Sequence, residues 1–154
     1  MRIRAAALAA LATVAFAAPL RAADYRVTAE APTVLYDAPS AKARPQFVFG
    51  RDVPLEVLVG VDGWTKVRDV GGTIGWIATK SLAERRVLQV RAAADVRASP
   101  DDSSPLVFRA EQNVLLELAE PATSVGTTAT PGWVKVRHRD GATGFMRVTQ
   151  LFGL

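Results

Sequence analysis

Along most of the chain, apolar and β-branched residues come in runs of four to six, separated every 8 to 12 residues by Pro, Gly or Asp. That rhythm predicts short antiparallel strands joined by tight turns rather than helices. Leu55 to Val59 and Val114 to Leu118 are the most apolar runs. Asp62-Gly63 is a two-residue hairpin signal, and Gly71-Gly72 and Asp140-Gly141 each join a Trp-containing strand to a Gly-aromatic strand. Within Trp64-Thr65-Lys66-Val67-Arg68, the period-two alternation of a strand places Trp64, Lys66 and Arg68 on one face and Thr65 and Val67 on the other. Trp133, Lys135 and Arg137 stand in the same way against Val134 and Val136.

The pattern occurs twice. A shift of 61 lays Leu35-Tyr36-Asp37-Ala38-Pro39 over Val96-Arg97-Ala98-Ser99-Pro100, Phe47 over Phe108, and Leu55-Glu56-Val57 over Leu116-Glu117-Leu118. A shift of 69 then lays Trp64 to Arg68 over Trp133 to Arg137, Gly75-Trp76-Ile77 over Gly144-Phe145-Met146, and Leu82 over Leu151. The difference of eight is one insertion, in the Ser-, Thr- and Pro-rich stretch 120–131, which reads as a surface loop. The mature chain therefore divides into two units, residues 23–84 and 85–154. A unit of about 60 residues buries a modest core, so packing of one unit on the other is expected.

Residues 1–22 read as a cleaved signal peptide. Arg2 and Arg4 precede a 14-residue run of small or apolar residues, Ala5 to Ala18, that Pro19 ends. Cleavage fits after Ala22 or after Ala17; the run falls short of the roughly 20 residues of a membrane span. Export to the periplasm or out of the cell follows, with no membrane anchor after cleavage and no room for one after the last strand.

Composition narrows the function. The whole chain has 19 Lys and Arg against 15 Asp and Glu, a formal charge of +4, but the signal carries Arg2, Arg4 and Arg21 and no acid, which leaves +1 on the mature part. A near-neutral exported protein argues against nucleic-acid binding. The absence of Cys excludes disulfides, thiolate metal sites and a thiol nucleophile. His138 is the one histidine, without a second His or a spaced carboxylate set, so no metal or cofactor is expected. Asp101-Asp102-Ser103-Ser104 reads as a turn that serves backbone amides. Glu56 and Glu117, repeated in register, read as solvent-facing edge positions. Gly-x-Ser-x-Gly and Ser-x-x-Lys are both absent, and no catalytic residues are assigned.

The order apolar-Arg-x-x-Pro, hydrophobic strand, Gly-Trp-x-Lys-Val-Arg, Gly turn, Gly-aromatic-apolar resembles the bacterial SH3 domain. It is carried by Asp95 to Pro100, Gly132 to Arg137 and Gly144-Phe145-Met146 in the second unit, and by Gly63 to Arg68 and Gly75-Trp76-Ile77 in the first. Tyr36 replaces Arg97 in the first unit, so the two need not share a ligand preference. Leu35-Tyr36-Asp37 is also similar to the start of the peptide groove in eukaryotic SH3 domains. The resemblance implies an all-β protein of two tandem five- or six-stranded SH3-like barrels, non-catalytic, binding cell-wall peptides or an envelope protein.

If Val67, Ile77, Val136 and Met146 point inward, Trp64, Trp76, Trp133 and Phe145 lie on outer or rim faces beside Lys66, Arg68, Lys135 and Arg137. Such aromatic-basic faces, with Tyr36 or Arg97 at their border, suit an extended peptide bearing carboxylates. Two alternatives stand beside this expectation. Each aromatic ring can be sealed by the Lys and Arg stems of its own sheet, or the faces can be buried between units in a scaffold or self-associating protein.

Overall fold

A computed structural model describes residues 23–119 and 132–154. The expected signal peptide and the stretch 120–131 lie outside the described residues. The first half forms β1 (Asp24–Thr28), β2 (Thr33–Tyr36), β3 (Pro45–Phe49), β4 (Pro54–Val61), β5 (Trp64–Arg68), β6 (Ile74–Ala78) and, after a 3-10 turn at Thr79–Ser81, β7 (Leu82–Ala83). The second half forms β8 (Val87–Val90), β9 (Ala94–Arg97), β10 (Leu106–Ala110), β11 (Leu115–Leu118), β12 (Trp133–Arg137), β13 (Thr143–Arg147) and, after a 3-10 turn at Val148–Gln150, β14 (Leu151–Phe152). Among the described residues there is no α-helix.

Two sheets result, with the orders β3-β2-β6-β5-β4-β1-β7 and β10-β9-β13-β12-β11-β8-β14. The second order is the first repeated strand for strand, so the duplication seen in the residues is a duplication of topology. Each sheet has seven strands where five or six were implied, because a two-residue strand closes each unit by pairing with its first strand. At the β4–β5 hairpin, Asp62 (φ 40°) and Gly63 (φ 82°) both take the left-handed conformation that a two-residue turn demands. β4 and β11 are interior strands, so Glu56 and Glu117 do not occupy sheet edges; Glu56 is instead held by Arg68 on the neighbouring strand, 2.7 Å away.

Val67, Ile77, Val136 and Met146 all point inward and are fully buried. The first core gathers Leu35, Phe49, Leu55, Val67 and Ile77; the second sets Val96, Ala110, Leu116, Val136 and Met146 at the matching positions and adds Leu88, Val90, Ala94, Val134 and Leu151. The halves touch. Phe152 is buried and meets the Tyr25 ring edge-on at 5.1 Å, with the Arg91 guanidinium 5.1 Å from its ring centre. Gly153 (φ 104°) lies so close to Pro54 and to the Val87 carbonyl that a side chain there would collide with the backbone, at 2.7 Å. Burial at this seam, then the charge of Glu56, pushes the Tyr25 hydroxyl pKa up.

Candidate functional site

The motif Gly-aromatic-apolar has a steric origin. A Cβ on Gly75 would sit 2.6 Å from the Leu35 side chain and 2.8 Å from the Tyr36 carbonyl, and one on Gly144 would sit 2.6 Å from Val96 and 2.7 Å from the Arg97 carbonyl. Glycine alone lets β6 and β13 approach β2 and β9 this closely. The approach sets Tyr36 opposite Trp76, and Arg97 opposite Phe145, in register.

In the first unit this builds a continuous outer surface. Tyr36 meets Trp64 edge-on at 5.6 Å, and Lys66, paired with Trp76 across β5 and β6, places its Nζ 5.7 Å from the Trp76 ring. Trp64, Trp76, Tyr36 and Lys66 are all half-buried, so part of each ring reaches solvent. β4 runs on past the length of β11, and its residues Val59 and Val61 lie opposite Lys66 and Trp64. Directly opposed residues project to the same side of a sheet, so these two exposed valines extend the shelf. Their part was not evident from the residues, since a β-bulge between Val57 and Val59 shifts the alternation. Arg68, at the far end of β5, turns to Glu56 with two hydrogen bonds of 2.7 and 2.9 Å. It does not reach the shelf rings.

The second unit covers the Trp of the same face. Trp133 is only 6% exposed, not on a rim, because the Arg147 guanidinium lies 4.7 Å from its ring centre. Arg147 is held there by an ion pair with Asp102, whose carboxyl the arginine's hydrogen bond pulls below the usual carboxylate range. Asp102 thus serves a side chain, whereas Asp101 accepts the Ser103 amide at 2.8 Å as its turn position predicts. Arg97 is engaged by Asp95 at 2.7 Å and by the Ser104 carbonyl at 3.0 Å. Lys135 stands over the half-buried Phe145 at 5.8 Å, just as Lys66 stands over Trp76, and Arg137 lies opposite Glu117 in register. The residue equivalent to Arg147 in the first unit is Ala78, which faces Trp64 and leaves it open. The shift of 69 already aligned these two positions, and their difference was the missed signal.

His138 has its Nδ1 3.0 Å from Asp140 and its ring beside Phe108. The Ala142 amide, and then His138, hold the Asp140 carboxyl low. Among the described residues, no three His, Asp or Glu side chains gather to hold a metal.

No curated protein matches the chain. Among solved structures it is similar to NlpC2 from Trichomonas vaginalis, at 15% identity and a TM-score of 0.35 over 83% of this chain and 46% of that one. NlpC1 from the same organism gives 16% and 0.34, over 90% and 50%. This chain spans about half the length of each. Residues 29–84 match the family model for the bacterial SH3 domain. With the strand order, the Gly-aromatic crossing and the Trp-x-Lys-x-Arg strand all present in that segment, the first unit of this chain is a bacterial SH3 domain.

Proposed function

We propose that the protein is an exported, non-enzymatic adaptor whose first unit binds an extended peptide carrying a carboxylate, from a cell-wall stem or an envelope protein. The observation that carries this reading is the continuous open surface of Tyr36, Trp64 and Trp76 with Lys66 beside it. An extended chain laid across β2, β6 and β5 covers the Trp faces with its apolar groups, and Lys66 takes its carboxylate. Val59 and Val61 lengthen the apolar track. The second unit, with Arg147 over Trp133, contributes no equivalent surface, so binding is through one site and gains nothing from avidity between units. Export rests on the Arg2 to Ala22 segment, and the non-enzymatic reading on the missing nucleophile signatures.

The test is an amide NMR titration of residues 23–154 with solubilised peptidoglycan fragments, following the three indole signals. Saturable shifts at Trp64 and Trp76 without one at Trp133 are expected; silence of Trp64 and Trp76 at millimolar ligand sinks the wall-peptide form. A second reading, self-association, is favoured by exposed Phe47, Val48, Leu106 and Val107 on the outermost strands β3 and β10. It requires sedimentation to depend on protein concentration.

A further inference from the structure

The two units present equivalent corners where β1 or β8 meets the end of β5 or β12, and these corners differ in charge. In the first, a cleft of about 430 Å³ is lined by Arg68 and Arg91 against Glu56 and Asp69. In the second, a cleft of about 440 Å³ is lined by Arg51, Arg85, Arg137 and Arg139, with His138, against Asp52 and Glu117. The balanced corner becomes one with two positive charges in excess. Two neighbouring replacements do much of this: Asp69 and Val70 of the first unit stand where His138 and Arg139 stand in the second. Arg51 and Asp52 come from the first unit's β3–β4 turn and Arg85 from the join between units, so the cleft exists only when both units are in place.

One of its two acids, Asp52, is already engaged. Asp52 is in ion pairs with Arg85 and, at 3.9 Å, with Arg51, and Glu117 lies opposite Arg137 across β11 and β12. One wall is apolar, made by Val87, Val114 and Leu115, which lowers the local dielectric and strengthens the field of the cations. Every full cation here is an arginine and none a lysine. Planar guanidinium forks match the paired oxygens of a phosphate group, and the two-charge excess matches a dianion. The volume lies within the range of small-molecule sites and exceeds what a single ion fills. We propose that this inter-unit cleft binds a phosphate-bearing ligand, a phosphate ester or pyrophosphate with a small apolar body set against the valine wall. The site is separate from the Trp64–Trp76 surface, so either proposal stands without the other.

The experiment is a titration of the chain from residue 23 to 154 with inorganic pyrophosphate at constant ionic strength, followed by amide NMR. Saturable shifts are expected at Val114 to Glu117 and at His138 and Arg139, with the balanced corner at Tyr25, Glu56 and Gly71-Gly72 unmoved. The double variant His138→Asp with Arg139→Val copies the first unit's residues into the second corner, and its affinity should fall by about tenfold or more. Arg51→Gln, on the other unit, should weaken binding in the same direction. Arg51 and Arg139 are exposed and His138 is half-buried beside Phe108, and the retained dispersion of the amide spectrum verifies folding. Equal shifts at both corners, no saturation, or an unchanged titration in the double variant would overturn the proposal.

Discussion

The two units share every strand pairing and differ in what they do with it. The first buries three threonines, each satisfied: Thr28 donates to the Gly50 carbonyl at 2.7 Å and accepts the Val53 amide at 2.9 Å, Thr33 donates to the Glu30 carbonyl, and Thr65 bonds Thr79. The second has Val90, Ala94 and Val134 at those positions, and the amide equivalent to that of Val53, on Val114, turns to the Glu111 carbonyl instead. The outer faces are reversed in the same sense. The threonine-containing unit keeps Trp64 open, and the apolar unit covers Trp133 with Arg147. The apolar replacements predict a sturdier second unit, and Phe152 joins it to the first through Tyr25. The comparison shows that fold and surface are set by different positions of one repeat: inward residues and the crossing glycine set the sheet, while outward residues such as Ala78 and Arg147 set whether it can bind.

The largest break in this arrangement should come from Phe152→Ala, which removes a buried ring from the seam. A loss of about 3 kcal/mol or more is expected, seen in thermal unfolding as a separate, earlier transition of the first unit. In the same variant Tyr25 should ionise nearer the ordinary tyrosine range. The raised pKa means that the folded state holds the Tyr25 proton longer than the unfolded chain does, so wild-type stability falls as pH rises past the ordinary tyrosine value, and the variant should lose part of that fall. A single cooperative transition in Phe152→Ala would show that the halves do not lean on this contact.

Thr28→Val tests the difference between the cores. Copying the second unit's residue strands the Val53 amide and removes a donor from the Gly50 carbonyl, with an expected cost of about 2 kcal/mol in denaturant unfolding. A neutral result would mean that the first unit can rearrange as the second does around Val114.

The faces are tested by exchange. Arg97→Tyr with Arg147→Ala gives the second unit the first unit's residues, and acrylamide quenching of Trp133 should rise to the level of Trp64, with little change in unfolding. Trp133 remaining shielded would locate its cover elsewhere.

The smallest effect is on pH. The Asp102 carboxyl titrates below its ordinary range because Arg147 stabilises its charge, so its contribution to the clamp is whole above the ordinary carboxylate value and is lost as pH falls through the depressed one. Trp133 quenching should therefore increase in acid while that of Trp64 does not, measured on the folded protein.

Much of the fold was legible along the chain because its cause is local. The alternation about Trp64 and Trp133, the Asp62-Gly63 turn and the repeated Gly-aromatic pair each follow from period-two packing or from a conformation that few residues adopt. The matching of Tyr36 to Arg97 was legible too, as was its consequence that the units differ. Long-range contacts were not. Arg147 covers Trp133 because Asp102, 45 residues earlier in the chain, is folded to its side. Val59 joins the shelf only through a bulge, and Arg51 meets His138 and Arg139 only once the two sheets are docked.

The amino-acid order alone determined two copies of one all-β unit, their inward and outward residues, and an aromatic-basic strand in each, since these depend on neighbours within a few positions. Which of the two aromatic strands stays open, and where the arginines collect, was decided by the tertiary structure. A cation's effect depends on the partner that reaches it, and that partner comes from another turn or from the other unit.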